Sequence, residues 1–185
     1  MKFLKFFIII FISLTTAIKA DLNKKLIKQL EDGEKLIFIR HAYAPGNGDP
    51  NNFNLNDCST QRNLNINGRK QAQYIGEFFI KNKIEIDEVL SSEWCRCKET
   101  AKIAFKNFST NSFLNSFYSS KYEKNKYKQV RELKKYVINH KRQKNLILVT
   151  HYVLISEVLN YNPSSGEIVV SDKNFNVIGS VEINF

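Results

Sequence analysis

Short apolar runs alternate with longer amphipathic segments along most of this chain, and this alternation constrains the fold more than any other feature. The runs at 36–39, 86–90 and 146–149 have the length and composition of buried strands. Segments of helical character lie between them. Strands that alternate with helices are typical of a layered α/β fold. We therefore predict a three-layer α/β/α architecture with a mostly parallel central sheet.

Apolar residues at helical spacing predict four helices after the first strand. The first begins near Asn67, and the second follows Ser91 or Ser92, either of which is a suitable N-cap. The third covers 121–139, and the fourth covers 153–159. The predicted inward positions of the third helix are Tyr127, Val130, Leu133 and Val137.

The remaining segments complete this pattern. A lead-in helix is predicted over 22–34, and two strands at 167–171 and 177–183 close the chain. Residues 43–66 are rich in Pro, Gly, Asn and Asp, which predicts a long loop. Loops of this length in a compact domain are more often functional than idle.

The first 20 residues differ from the rest of the chain. Met1-Lys2 and Lys5 are followed by an apolar segment at 6–14 and by small residues up to Ala20. This order predicts a secretory signal peptide over 1–20 and a single domain over 21–185. Cleavage after Ala17 and an uncleaved N-terminal anchor are the alternatives. A periplasmic or secreted location follows from the main prediction.

Three cysteines lie in the predicted domain. An exported chain meets an oxidising environment, where one pair of thiols can be bridged. We expect Cys58 to pair with Cys95 or Cys97, which leaves one free thiol. A zinc site is disfavoured, because Cys95 and Cys97 are too closely spaced and no histidine clusters with them. We therefore predict no metal site.

Basic and imidazole side chains lie at or just beyond the ends of the predicted strands. Arg40 and His41 follow the first strand, Arg96 lies in the helix after the second, and His151 follows the last apolar run. Ligands of α/β sheets bind beyond the carboxyl ends of the strands. The two arginines and two histidines are therefore expected to gather at one edge of the sheet.

This group of side chains suits phosphoryl transfer. Each guanidinium presents a planar fork of donors that matches phosphate oxygens. A neutral imidazole is a competent nucleophile near neutral pH, and a second imidazole can donate a hydrogen bond to a phosphoryl oxygen. Because the arginines supply the positive charge, the chemistry needs no metal or other cofactor.

The sequence resembles the histidine phosphatase superfamily, which includes the phosphoglycerate mutases and acid phosphatases. Four segments in order carry the resemblance: LIFIRHA (36–42), RNLNINGRKQA (62–72), VLSSEWCRCKETA (89–101) and LILVTH (146–151). It implies a phosphoglycerate mutase-like fold and a phosphomonoesterase that acts through a phosphohistidine intermediate. A cysteine-containing loop and the Cys-Arg-Cys helix start are also similar to small exported members of the lipopolysaccharide core heptose phosphate phosphatase type.

The resemblance further implies roles for six residues. The nucleophile would be His41, and the phosphoryl oxygens would be held by two arginines with a second histidine. The implied catalytic residues are Arg40, His41, Arg96 and His151, and the implied substrate-binding residues are Asn47 and Arg62. The implied substrate is a small or envelope-linked sugar phosphate.

Two features depart from the family pattern. Ala42 replaces the glycine that usually follows the nucleophile, and Ala is small enough for the same turn. Many members also carry a carboxylic acid that protonates the leaving oxygen. Tyr152 follows the second histidine here, Glu123 lies in a poor context, and Asp49 is the alternative from the long loop. The sequence alone leaves this acid unassigned.

The formal net charge of +10 favours anionic partners. Phosphorylated small molecules and glycolipids fit this charge, whereas no nucleic-acid-binding motif accompanies it. Eight lysines and two arginines lie between Lys121 and Lys144. This stretch motivates an alternative function, a non-catalytic module that binds anionic glycolipid or envelope surfaces, and an expectation of peripheral contact with anionic membranes.

Overall fold

The computed structural model describes residues 24–141 and 143–185. The predicted signal peptide at 1–20 lies outside these residues and stays a prediction. Residues 24–31 are helical and are labelled α1, in agreement with the predicted lead-in helix. Within the described ranges, no helix has both the length and the apolarity needed to cross a membrane.

A six-stranded sheet forms the centre of the fold. Its strands are β1 (Leu36–Arg40), β2 (Ile86–Ser91), β3 (Ser109–Thr110), β4 (Asn145–Thr150), β5 (Ile168–Ser171) and β6 (Val177–Val181), in the spatial order β3-β2-β4-β1-β5-β6. The first four strands are mutually parallel, and β5 is antiparallel to both of its neighbours. The prediction of an α/β fold with a mostly parallel sheet is confirmed.

Helices cover both faces of the sheet. Besides α1 they are α2 (Ile66–Lys81), α3 (Cys95–Phe105), α4 (Ser120–Glu123), α5 (Lys126–Asn139) and α6 (Tyr152–Leu159), with 3-10 turns at Cys58–Thr60 and Ser112–Leu114. One core joins the sheet to Leu26, Ile75 and Ala101 of α1, α2 and α3. The other joins it to Leu133 and Leu154 of α5 and α6. These are the three predicted layers.

The central strand β1 shows how the sequence produces these layers. Successive side chains of a strand point to opposite faces. Ile37 and Ile39 therefore enter the core under α1–α3, and Leu36 and Phe38 enter the core under α5 and α6. A strand buried on both sides must be apolar throughout, and this explains the uninterrupted run LIFI.

The predicted helix at 121–139 is wrong in two respects. The structure has two helices here, α4 and α5. Tyr127 was expected to face inward but is 79 % exposed. Its place toward the core is taken by Gln129, whose side-chain amide donates to the carbonyls of Ser112 and Asn115. A buried amide with two partners replaces the apolar side chain that the spacing suggested.

The predicted N-cap of α3 is also wrong. Trp94 is the N-cap residue, and its side chain makes no capping hydrogen bond. Ser91 is the last residue of β2, and Ser92 has a different partner, since its Oγ lies 2.9 Å from Nε2 of His151.

Candidate active site

Strand order brings the predicted residues together at one edge of the sheet. β4 lies between β1 and β2, with Arg40 in register with Thr150. The amide of His41 donates to the carbonyl of Thr150 at 2.9 Å. The chain therefore leaves β1 and β4 side by side, and the rings of His41 and His151 lie with centroids 5.5 Å apart.

A pocket of about 440 Å³ opens at this edge. The six residues that the sequence singled out all line it: Arg40, His41, Asn47, Arg62, Arg96 and His151. Five aromatic residues also line it: Phe53, Trp94, Tyr118, Tyr122 and Tyr152. The pocket has the size of a small-ligand site and carries a cationic floor.

His41 is held in one orientation and is uncharged at neutral pH. Its Nδ1 lies 2.9 Å from the carbonyl oxygen of Ala42, which can only accept, so Nδ1 carries the proton and Nε2 keeps its lone pair. Burial, followed by the charge of Arg96, lowers the pKa of His41 well below its usual value. The amide of Ala42 donates to Oγ1 of Thr100, so the turn forms without the usual glycine.

Two arginine side chains in the pocket have unused donors. The buried Nε groups of Arg40 and Arg96 have no hydrogen-bond partner. Nη1 of Arg40 donates to the carbonyl of Pro163, which fixes the guanidinium. Burial and the charge of Arg96 also lower the pKa of Arg62. Buried donors are nearly always paired, so this crowding of positive charge marks a place for an anion.

Asp49 is paired with Arg96. Its carboxylate accepts hydrogen bonds from the guanidinium of Arg96 at 2.7 and 3.3 Å, from Nε1 of Trp94 at 3.1 Å and from the amide of Arg62 at 3.1 Å. Burial alone raises the pKa of Asp49, but the hydrogen bond and charge of Arg96 outweigh it and lower the pKa overall. The residue is therefore a carboxylate in the free site.

Arg62 and Asn47 occupy the side of the pocket formed by the long loop. The guanidinium of Arg62 donates to the carbonyls of Gly48 and Ala44, so this side chain holds the loop as well as lining the pocket. Nδ2 of Asn47 donates to the hydroxyl of Tyr118 at 3.2 Å on the exposed rim.

His151 is buried and connects Arg96 to Ser92. Nη2 of Arg96 lies 3.3 Å from Nδ1 of the ring. A guanidinium can only donate, so Nδ1 accepts and the opposite nitrogen, Nε2, donates to Oγ of Ser92. Burial, and then Arg96, lower the pKa of His151 well below its usual value, which agrees with this neutral tautomer.

The disulfide joins Cys58 to Cys95, which decides between the two predicted pairs. It ties the long loop to the residue that precedes Arg96. Cys97 is a free, buried thiol, and burial raises its pKa to about 12. A thiol in this state is a poor nucleophile. In the described part of the chain, no group of His, Cys, Asp and Glu is arranged to hold a metal ion.

Part of this site has no clear signal in the sequence. The contact between Ser92 and His151 was not foreseen, although Ser92 directly follows β2 at the same edge as the histidines. Trp94 was also missed, although it lies two residues before Arg96. The sequence suggests Asp49 only as an alternative acid, and its pairing with Arg96 has no local sequence signal. The other acid considered, Glu123, does not line the pocket.

Comparison with known families agrees with this geometry. Residues 36–115, which include β1, the long loop and Arg96, match the model of the histidine phosphatase superfamily (branch 1). The resemblance to the histidine phosphatase superfamily is confirmed. Its finer form, the heptose phosphate phosphatase type, is not confirmed. No curated protein sequence matches the chain.

Solved structures of two phosphatases and a mutase share the fold. The protein histidine phosphatase SixA complexed with tungstate aligns with a TM-score of 0.55 at 16 % identity, over 77 % of this chain and 92 % of SixA. Phosphoglycerate mutase from Thermus thermophilus aligns with a TM-score of 0.55 at 15 % identity, over 81 % of this chain and 99 % of the mutase. A mycobacterial glucosyl-3-phosphoglycerate phosphatase complexed with VO3 aligns with a TM-score of 0.55 at 12 % identity, over 74 % of this chain and 92 % of that phosphatase. Identities this low establish the fold alone.

Proposed function

We propose that this protein is a phosphatase that hydrolyses phosphomonoesters through a phosphohistidine intermediate on His41. The observation that carries the proposal is a neutral imidazole beside two buried arginine Nε groups that lack partners. The family match supports this reaction class. Two of the similar structures are complexes with oxyanions, tungstate and VO3, which supports an oxyanion as the ligand here.

In the first step, Nε2 of His41 attacks phosphorus and the bond to the ester oxygen breaks. The hydrogen bond from Nδ1 to the Ala42 carbonyl keeps the proton off Nε2 and fixes the ring. The guanidinium groups of Arg40 and Arg96 stabilise the charge on the phosphoryl oxygens, including the charge that develops in the transition state.

In the second step, water attacks phosphorus, the bond between phosphorus and Nε2 breaks, and phosphate leaves. Division into two displacements replaces one difficult step by two easier ones. A bound phosphoryl dianion favours the protonated form of His151, whose Nδ1 then donates to a phosphoryl oxygen instead of accepting from Arg96. This assigns the second histidine to phosphate binding.

The test is trapping of the intermediate. Labelled substrate quenched in alkali is expected to leave label on the wild-type protein, in a form that acid releases, and the His41→Ala variant should show neither label nor turnover. His140→Ala is the matched control, since His140 does not line the pocket. Label or turnover retained in His41→Ala would overturn the proposal. Turnover that survives a chelator would support the metal-independent form of the reaction.

The proposed substrate is a small or envelope-linked sugar phosphate. The pocket is larger than a phosphate group, and its rim carries the hydroxyl group of Tyr118 beside the amide of Asn47. The aromatic residues Tyr122 and Tyr152 also line the pocket. Aromatic side chains with polar tips suit a leaving group that presents both C–H faces and hydroxyl groups. A screen of sugar phosphates, scored by kcat/KM, tests this choice against non-sugar monoesters.

We also propose that the protein acts in the periplasm or outside the cell after removal of residues 1–20. Disulfides such as Cys58–Cys95 persist in oxidising compartments, and this supports export. Expression with the native leader should give a periplasmic or secreted protein whose mass shows loss of the leader. A full-length protein retained in the cytoplasm would contradict this location.

A second candidate function is the non-catalytic module for anionic glycolipid or envelope surfaces. The observation that favours it is on α5, where Tyr127 and Ile138 are 79 % and 78 % exposed beside three cationic residues, Arg131, Lys134 and Lys135. Exposed apolar groups among cations suit an anionic membrane surface. Binding to anionic vesicles with no turnover of any phosphate ester would favour this candidate over the phosphatase.

A further inference from the structure

Asp49 is the residue whose chemistry the proposed reaction leaves unused. Among the described residues that line the pocket, it is the only one with a carboxyl group. Its side chain is 17 % exposed and points at Arg96, one of the two arginines assigned to the phosphoryl oxygens. A carboxyl group at this place is within the same pocket as the nucleophile and close to the arginine that would hold the substrate.

The loop holds Asp49 in place by fixed donors. Nε1 of Trp94, the N-cap residue of α3, and the backbone amide of Arg62 both donate to the carboxylate. The preceding residues Gly46 and Gly48 have φ of +87° and +66°, which favour glycine. The guanidinium of Arg62 binds the carbonyl of Gly48. The position of Asp49 is therefore built into the site.

We propose that Asp49 protonates the leaving oxygen, and that the substrates are accordingly phosphate esters of ordinary alcohols. This inference rests on the proposed function. An alkoxide is a poor leaving group and departs readily only when an acid supplies a proton. Phosphohistidine, phosphoanhydrides and aryl esters such as p-nitrophenyl phosphate have better leaving groups and need no such acid.

Substrate binding converts Asp49 from a partner of Arg96 into an acid. The phosphoryl oxygens of the ester take the donors of Arg96 that the carboxylate uses in the free site. A carboxylate that loses this partner and gains a dianion beside it favours its protonated form. Asp49 thus takes a proton from solvent as the ester binds.

The protons balance over both displacements. When Nε2 of His41 forms its bond to phosphorus, the ester P–O bond breaks, and the Asp49 proton goes to the departing oxygen, so the product is the neutral alcohol. In the second displacement the Asp49 carboxylate accepts a proton from the attacking water. The P–N bond then breaks, its electron pair returns to Nε2, and phosphate leaves with the second hydrogen of that water still on oxygen.

The experiment is a leaving-group series. Wild type and Asp49→Asn are compared on aryl phosphates of increasing phenol pKa and on an alkyl phosphate. We expect Asp49→Asn to lower kcat/KM on the alkyl phosphate by about 10²- to 10⁴-fold, the usual contribution of a general acid, and on p-nitrophenyl phosphate by less than about 10-fold. Asp49→Glu should restore part of the activity on the alkyl ester.

The control separates this role from a general effect of removing a carboxylate from the loop, and the leaving-group dependence separates it from simple neutralisation of Arg96. Asp57→Asn changes a carboxylate in the same loop that lies outside the pocket, and it should leave the whole series unchanged, since Asn is an equally good cap of the 3-10 turn. An equal loss on all esters, or no loss on the alkyl ester, would overturn the role of Asp49. If wild type forms no phosphoenzyme and hydrolyses no ester, the proposed function itself fails.

Discussion

At the scale of single residues, the site depends on keeping two imidazoles neutral beside three guanidinium groups. His41 and His151 are only 2 % and 3 % exposed, and burial is the largest cause of their lowered pKa values. The cost of protonation in this environment is what leaves Nε2 of His41 available. The same cost makes the free energy of unfolding depend on pH.

The free energy of unfolding should therefore fall as the pH drops below about 6.5. Above that pH, His41 and His151 are neutral in both the folded and the unfolded chain. Below it, they bind protons in the unfolded chain but stay neutral in the folded chain, because their folded-state pKa values are lower. Each imidazole then removes about 1.4 kcal/mol of stability per pH unit, until its folded pKa is reached. Urea unfolding at pH 7 and pH 5 measures the loss.

The His41→Gln variant isolates one of these imidazoles. It lacks one titrating group but keeps the other ionisable groups of the chain, so its loss between pH 7 and pH 5 should be smaller than that of wild type by about 1 to 2 kcal/mol. Equal losses in the two proteins would show that His41 is not held neutral by the fold.

At the scale of elements, the long loop between β1 and α2 is joined to α3 from two sides. The Cys58–Cys95 disulfide links it covalently to the first residue of α3, and Asp49 links it to Arg96, the next residue. On the other side, α2 approaches the loop closely at Gly68, where a Cβ would lie 2.0 Å from the carbonyl oxygen of Tyr43. The loop is thus a fixed wall of the pocket.

Removal of the disulfide should lower the free energy of unfolding by about 3 to 4 kcal/mol, because it closes a loop with a sequence separation of 37 residues. Denaturant unfolding of wild type and the Cys58→Ser/Cys95→Ser variant measures this loss. A reductant should destabilise wild type and leave the double variant unchanged, since Cys97 is already a free thiol. A double variant as stable as wild type would contradict a constraining role for the bond.

At the scale of the whole molecule, the chain carries a net positive charge, and part of this charge is concentrated in the pocket. The formal net charge is +10, and the pocket gathers Arg40, Arg62, Arg96 and Lys121 around one carboxylate. A cleft lined by one sign of charge raises the local concentration of ligands of the opposite sign. This field acts before any contact forms.

Salt should therefore weaken substrate capture more than chemistry. We expect kcat/KM for a phosphate dianion to fall several-fold between about 0.02 and 0.2 M ionic strength, with a smaller change in kcat, because the Debye length shortens to about 7 Å over that range. Lys121→Gln should reduce this salt dependence, whereas Lys102→Gln, on α3 outside the pocket, should not. A salt-independent kcat/KM would exclude electrostatic capture.

The layers of this fold and the edge at which the site lies follow from local sequence patterns. The apolar runs, the helical spacing and the polar residues after the strands are local properties, and parallel strands necessarily end at one edge. This was enough to place Arg40, His41, Arg96 and His151 together, because each lies at or near the end of a regular element.

The contacts that depend on the path of the long loop are visible only in the folded chain. The choice of Cys95 over Cys97, the pairing of Asp49 with Arg96 and the use of Arg62 to hold Gly48 join residues that no periodic pattern relates. The outward position of Tyr127 likewise depends on the two carbonyls that receive the Gln129 amide. These contacts follow from the packing of segments that are distant in the sequence, and no local sequence pattern predicts them.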